Sequence, residues 1–95
     1  MVNVKISKNM MEAEGHTGIK GQSILCASIS TLMCGVMYAL KCAGADVNTE
    51  SSDGFQRVSF LGDKYKYNII FKSFSDCLEK LAEEHPTEMK IIKKS

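Results

Sequence analysis

Two residues stand out as the parts of a thiol nucleophile and its base: His16, at the root of a glycine-rich stretch, and Cys26, ten positions later where an uncharged run begins. Residues 15 to 23, Gly-His-Thr-Gly-Ile-Lys-Gly-Gln-Ser, hold three glycines and no apolar period, which makes them a loop with wide backbone freedom. From Ile24 to Leu40 no residue is charged, and Ser23 is a natural N-cap for a helix that starts there. Cys26 is then the third helical residue, within the first turn, where unpaired backbone N–H groups and the macrodipole favour negative charge. A thiol so placed ionises more readily, and a neighbouring imidazole can take its proton. The same N–H groups can hold the oxyanion of an attacked carbonyl. Ser30, one turn on and on the same face, is placed to hydrogen-bond near the thiolate or the imidazole. Gly15, Gly18 and Gly21 would let the loop carry His16 toward Cys26 as substrate orders it.

A plainer reading stands beside this one, because a cysteine in an apolar helix is usually a small buried hydrophobe. Cys34, Cys42 and Cys77 are read that way, and Met10, Met11, Met33 and Met37 as core filler. His85, beside Pro86 at a helix end, is accounted for by the helix dipole. Cys26, Cys34 and Cys42 are spaced eight apart, roughly 12 Å along a helix, whereas a disulfide needs Cα atoms within about 7 Å. No C-x-x-C occurs, and ligands at i and i+8 do not converge on one ion, so neither metal nor cofactor is expected.

The elements that must position these residues are set by periodicity. Val2, Val4 and Ile6 alternate with polar residues as in a strand with one buried face, and Lys8-Asn9 turns the chain into a second short strand over 10–14. The helix from Ile24 runs to a C-cap at Gly44. Strands over 46–50 and 55–61 flank Ser51-Ser52-Asp53-Gly54, whose Asp-Gly suits a hairpin turn. A helix is predicted from about Asn68 to Glu84, stopped by Pro86, with Tyr65-Lys66-Tyr67 before it as a half-buried edge. A last strand spans 89–93. The order strand, strand, helix, strand, strand, helix, strand implies an α+β fold: a mostly antiparallel sheet of four to five strands packed with two helices.

The 95 residues make one domain, 1–95, with room for one core and one site. Twelve basic against 11 acidic residues leave a formal charge of +1, too little field to grip nucleic acid or an anionic membrane. The start, Met-Val-Asn-Val-Lys-Ile, has no apolar run after a basic residue, so no signal peptide and a reducing, cytoplasmic setting are expected. The 17 residues from Ile24 to Leu40 include Ser28, Ser30, Thr31 and Gly35, whereas a membrane span wants about 20 strongly apolar ones. That helix is expected to be wrapped by protein on most sides, in part by a second subunit.

Gly15-His16-Thr17-Gly18, followed by Gly21-Gln22-Ser23-Ile24-Leu25-Cys26-Ala27-Ser28-Ile29-Ser30, resembles the glycine-His-Ala-Gly loop and the Asp-Ile-Val-Cys-Ala-Ala-Val-Ser helix start of the ribosomal-processing cysteine proteases, Prp. Cys77-Leu78-Glu79-Lys80-Leu81-Ala82-Glu83-Glu84-His85-Pro86 is similar to that family's late helix ending in Tyr-Pro. The resemblance implies an α/β sandwich, a homodimer and a Cys-His pair made of Cys26 and His16. It also implies an extended peptide substrate, the N-terminal extension of large-subunit ribosomal protein twenty-seven, removed during ribosome assembly. Phage-borne relatives process virion proteins instead. Three departures stand: Ser23 replaces the family's usual Asp, Thr17 replaces alanine, and the loop is about two residues shorter. Either the pair works as a dyad, or Glu14 or Asp53 supplies the carboxylate, or activity is reduced; the alternative reading is a non-catalytic dimeric peptide-binding homologue.

Overall fold

The structure, a computed structural model, describes residues 1–15 and 24–94. The elements come in the expected order: β1 (Val2–Ile6), β2 (Met10–Glu14), α1 (Ile24–Cys42), β3 (Asp46–Ser52), β4 (Phe55–Leu61), α2 (Tyr65–Glu84) and β5 (Met89–Lys93). They form a five-stranded sheet in the order β3-β4-β2-β1-β5 with both helices on one face. Every neighbouring pair is antiparallel except β1 and β5, which run parallel.

Strand alternation sorts the side chains. Val2, Val4, Ile6, Met11, Ala13, Val58, Phe60 and Met89 turn inward and are buried. Against them α1 lays Leu25, Ile29, Met33, Val36 and Leu40, one stripe at steps of three and four, and α2 lays Tyr67, Phe71 and Leu78. Burying each large apolar side chain contributes about 1.5–3 kcal/mol. Gly35 sets how closely the helices pack, since a Cβ there would lie 2.7 Å from the Phe74 ring.

On the outer face Lys5, Glu12, Arg57 and Glu50 stand opposite one another across four strands, alternating in sign. Arg57 donates to one Glu12 oxygen from Nε at 3.0 Å and Nη2 at 2.7 Å, and to Glu50 at 3.1 Å. Hydrogen bonding to Glu12 raises the Arg57 pKa. Such cross-strand pairs lock register, and register decides which side chains of β3 and β4 look toward α1.

Gly44 ends α1 as expected: it takes a φ of 94°, and Ala45 N–H closes back onto the Leu40 carbonyl at 3.0 Å. Two expectations need correction. First, α2 begins at Tyr65, not near Asn68. Gly62, with a φ of 109°, turns the chain out of β4, and Tyr67 then packs edge-on against Phe60 at 6.2 Å, a helical core contact where the alternation Tyr65, Tyr67 suggests an edge.

Second, Cys34, Cys42 and Cys77 are exposed thiols, not buried hydrophobes. Eight helical residues advance roughly 80° beyond two full turns, so the α1 cysteines drift around the helix while the Leu25–Leu40 stripe keeps the sheet side. Within a single copy α1 leaves residues of its outer side exposed, Ile24 at 84% and Tyr38 at 59%. The segment is long and apolar enough to cross a membrane, yet in this fold it lies on the sheet.

Candidate active site

Cys26 is the third residue of α1 and is half-buried. The amides of Ile24, Leu25 and Cys26 therefore belong to the turn that lacks intrahelical acceptors. The thiol opens into a cleft of about 250 Å³ between the start of α1 and the tip of the β3–β4 hairpin. Val2, Ala13 and Gly15 line it from the sheet, and Ile29 and Ser30 from α1. Ser51, Ser52, Phe55 and Gln56 line it from the hairpin.

Gly15 is fixed, not loose. Its φ of 115° is one that side-chain-bearing residues rarely adopt, a Cβ would fall against the Met1 carbonyl, and its N–H donates to the Gly54 carbonyl at 2.9 Å. The root of the glycine loop is thus tied to the hairpin tip on the other side of the cleft. The mobility expected of Gly15 gives way to the opposite role, an anchor at the end of β2. His16, Thr17, Gly18, Gly21 and Ser23 lie outside the described residues.

Of the remaining expected groups, Ser30 shares the cleft with Cys26, and its hydroxyl is exposed and makes no hydrogen bond among the described residues. Ser28 and Thr31 instead donate back to the Ile24 and Ala27 carbonyls, each at 2.9 Å. Ala27 faces solvent. The two acids weighed as carboxylate partners sit in different places. Glu14 shares the parity of Glu12 and so belongs to the outer face, away from α1. Asp53 occupies the hairpin turn directly before Gly54.

The far wall of the cleft has little local signature in the sequence. Ser51 and Ser52 look like turn residues but are the last two of β3, and Gln56 holds an inward position in line with Val58 and Phe60. A glutamine at a core-parity position is the available signal. Its carboxamide makes no hydrogen bond among the described residues and borders the cleft.

A partly buried thiol at the first turn of a helix, opening into a cleft on an α/β sandwich, is placed as a thiol nucleophile would be. Comparison with known proteins agrees. The chain matches the family described as cysteine protease Prp over residues 1–90, and it belongs to that family.

Among solved structures it is similar to the essential ribosomal processing protease Prp from S. aureus in complex with a covalently linked product peptide. The TM-score is 0.89 at 19% identity, covering 99% of this chain and 100% of that one. The same S. aureus protease in complex with a substrate peptide gives 0.87 at 18%, covering 99% and 100%. The protein SMU.848 from Streptococcus mutans gives 0.70 at 22%, covering 98% and 93%. At these identities the likeness establishes a shared fold. Comparison with curated protein sequences gives no match.

Proposed function

We propose that this protein is an endopeptidase in which Cys26 is the nucleophile and His16 its base, and that it removes the N-terminal extension of large-subunit ribosomal protein twenty-seven. The observation that carries the reading is the place of Cys26: third in α1, half-buried, at the mouth of a cleft beside the edge strand β3. The peptide-bound S. aureus relatives support an extended peptide as the ligand class.

The chemistry needs only these groups. The imidazole of His16 takes the thiol proton, and the sulfur attacks the scissile carbonyl carbon, moving its π electrons onto oxygen. The amides of the first turn of α1 hold that oxyanion. Collapse breaks the C–N bond as the imidazolium protonates the leaving amine, and a thioester remains on Cys26. Water, deprotonated by the imidazole, then releases the acid and restores the thiol. With serine at position 23, the imidazole has no carboxylate three residues before the nucleophile, and Asp53 is better placed than Glu14 to substitute for one, because its neighbour Gly54 binds Gly15.

The reading includes a cytoplasmic homodimer, supported by the exposed, uncharged side of α1 that carries Ile24, Ala27, Thr31 and Tyr38. Incubation with a peptide spanning the extension and mature start of the ribosomal precursor tests the assignment. Wild-type protein is expected to cut at one bond, while Cys26→Ala and His16→Ala each lose on the order of 10³-fold or more in kcat/KM. An intact peptide, or equal cutting by Cys26→Ala, overturns it.

A further inference from the structure

Another cavity lies at the opposite end of β1 from Cys26. Val2, where that strand starts, lines the Cys26 cleft, and Ile6, where it ends, lines a cavity of about 360 Å³ between α2 and the end of the sheet. Four strand residues, roughly 13 Å, separate the two. The carboxyl ends of the parallel strands β1 and β5 bound the cavity, tied together by the Lys94 N–H, which donates to the Ile6 carbonyl at 2.7 Å. From α2, Asn68, Lys72 and Ser75 line it at i, i+4 and i+7, one stripe along the helix.

The lining is cationic. Lys8, Lys72, Lys93 and Lys94 all border the cavity, four of the 12 basic residues of a chain whose formal charge is only +1. Two of them are answered by acids of α2, Lys72 by Asp76 at 3.0 Å and Lys93 by Glu79 at 2.8 Å. Lys8 and Lys94 form no ion pair among the described residues. Two positive charges are thus left over, and each paired ammonium keeps further N–H donors, since it has three. Like charges gathered at one cavity repel, and an anion of charge −2 would cancel the excess.

Ser75 marks where that anion would sit. It interrupts the buried stripe of Tyr67, Phe71 and Leu78 on α2 and is only 6% exposed. Ser28, Thr31 and Ser73 return their hydroxyls to the carbonyl four residues back, whereas the Ser75 hydroxyl makes no hydrogen bond among the described residues. No fully enclosed side-chain oxygen or nitrogen among those residues lacks a partner, so the Ser75 oxygen reaches open space, and the space it borders is this cavity. A hydroxyl held so far from bulk water calls for a polar partner there.

We infer that this cavity binds the phosphate group of a small molecule, with the Lys8 and Lys94 ammonium groups neutralising it and the Ser75 hydroxyl donating to one of its oxygens. A phosphate group carries a charge of about −1.5 to −2 at neutral pH and three strong acceptor oxygens, which matches the two spare cations and the waiting donor. A carboxylate would carry half that charge. The volume falls within the range of small-molecule sites, about 300–1,000 Å³, and leaves room for the group that bears the phosphate. An RNA strand is the poorer fit, because beyond the cavity α2 alternates Lys72 with Asp76 and Lys80 with Glu83 and Glu84 and offers no continuous cationic track. The site lies apart from Cys26 and does not depend on the peptidase reading.

Titration of the intact, nitrogen-15-labelled protein with inorganic phosphate and, separately, with adenosine monophosphate, at constant ionic strength, tests the site through amide shifts in two-dimensional NMR. At least one probe is expected to give saturable shifts centred on Ser7, Lys8, Ser75 and Lys94, and the tighter of the two shows whether the phosphate is free or carried. Lys8→Gln and Lys94→Gln are each expected to raise Kd about tenfold, and Ser75→Ala about fivefold. Lys90→Gln removes the same charge from the outer face of β5, outside the cavity, and should leave Kd unchanged. Shifts that stay linear in both probes, equal weakening by Lys90→Gln and Lys94→Gln, or a short single-stranded RNA that binds the same amides more tightly than either probe overturns the assignment.

Discussion

The two helices lie side by side on one face of the sheet and are nearly equal in length, 19 and 20 residues, yet they treat water in opposite ways. The outer surface of α2 is charged and its charges are answered locally: Lys72 reaches Asp76 at 3.0 Å, and Lys80 lies 3.9 Å from both Glu83 and Glu84. Lys93 of β5 bonds Glu79 of α2 at 2.8 Å, which raises the lysine pKa and ties the last strand to the helix. The outer surface of α1 carries no charge before Lys41 and shows Ile24, Ala27, Thr31, Cys34 and Tyr38 to solvent. Packing against the sheet accounts for α2 on its own. It accounts for only half of α1, and the other half is legible as surface that something else covers or uses.

That contrast can be broken in several places. The largest effect is expected from Gly15→Ala: the side chain is strained at a φ of 115° and meets the Met1 carbonyl, so the root of the His16 loop must shift. Since even about 1 Å of misplacement costs on the order of 10²-fold in rate, kcat should fall by that order while far-ultraviolet circular dichroism stays native. Next, Ile24→Glu and Tyr38→Glu should convert the proposed dimer to monomer in sedimentation velocity. Ile69→Glu on α2, where the residue is also exposed, should not. Gly35→Ala, which presses a methyl against Phe74 where the helices meet, should cost about 1–3 kcal/mol in chemical denaturation. Asp76→Ala should move stability by only about 0.5 kcal/mol, as expected for an exposed pair.

The sequence disclosed most of the fold because its periods are clean. The alternation of Val2, Val4 and Ile6, the uncharged run after Ser23, the Asp53-Gly54 turn and the stop at Pro86 each name an element, and each element is present. It is less informative where two periods overlap, as at Tyr65 to Phe71, where Tyr67 is buried by a helix and not by a strand. The cysteines depart from expectation because composition says nothing of angle: an apolar helix still has an outside, and an eight-residue step walks onto it.

Half of the site is equally visible, since Cys26 and the glycine root are local features. The opposite wall is not. Ser51, Ser52, Phe55 and Gln56 come from a hairpin 25 to 30 residues downstream of Cys26. Only the register of β3, β4 and β2, held by the Lys5–Glu12–Arg57–Glu50 row, brings them to the thiol.

The central claim is that Cys26 is activated by its position, and the other three cysteines make a direct internal control. All three are more exposed than Cys26, so accessibility alone ranks Cys26 last. Time-resolved alkylation of the native protein by limiting iodoacetamide at neutral pH, with each site quantified by peptide mass spectrometry, separates the two orders. If helix-start amides and the His16 imidazole stabilise the thiolate, Cys26 is modified first and His16→Ala abolishes its lead. If Cys26 reacts last, in the order of exposure, the nucleophile has been misassigned.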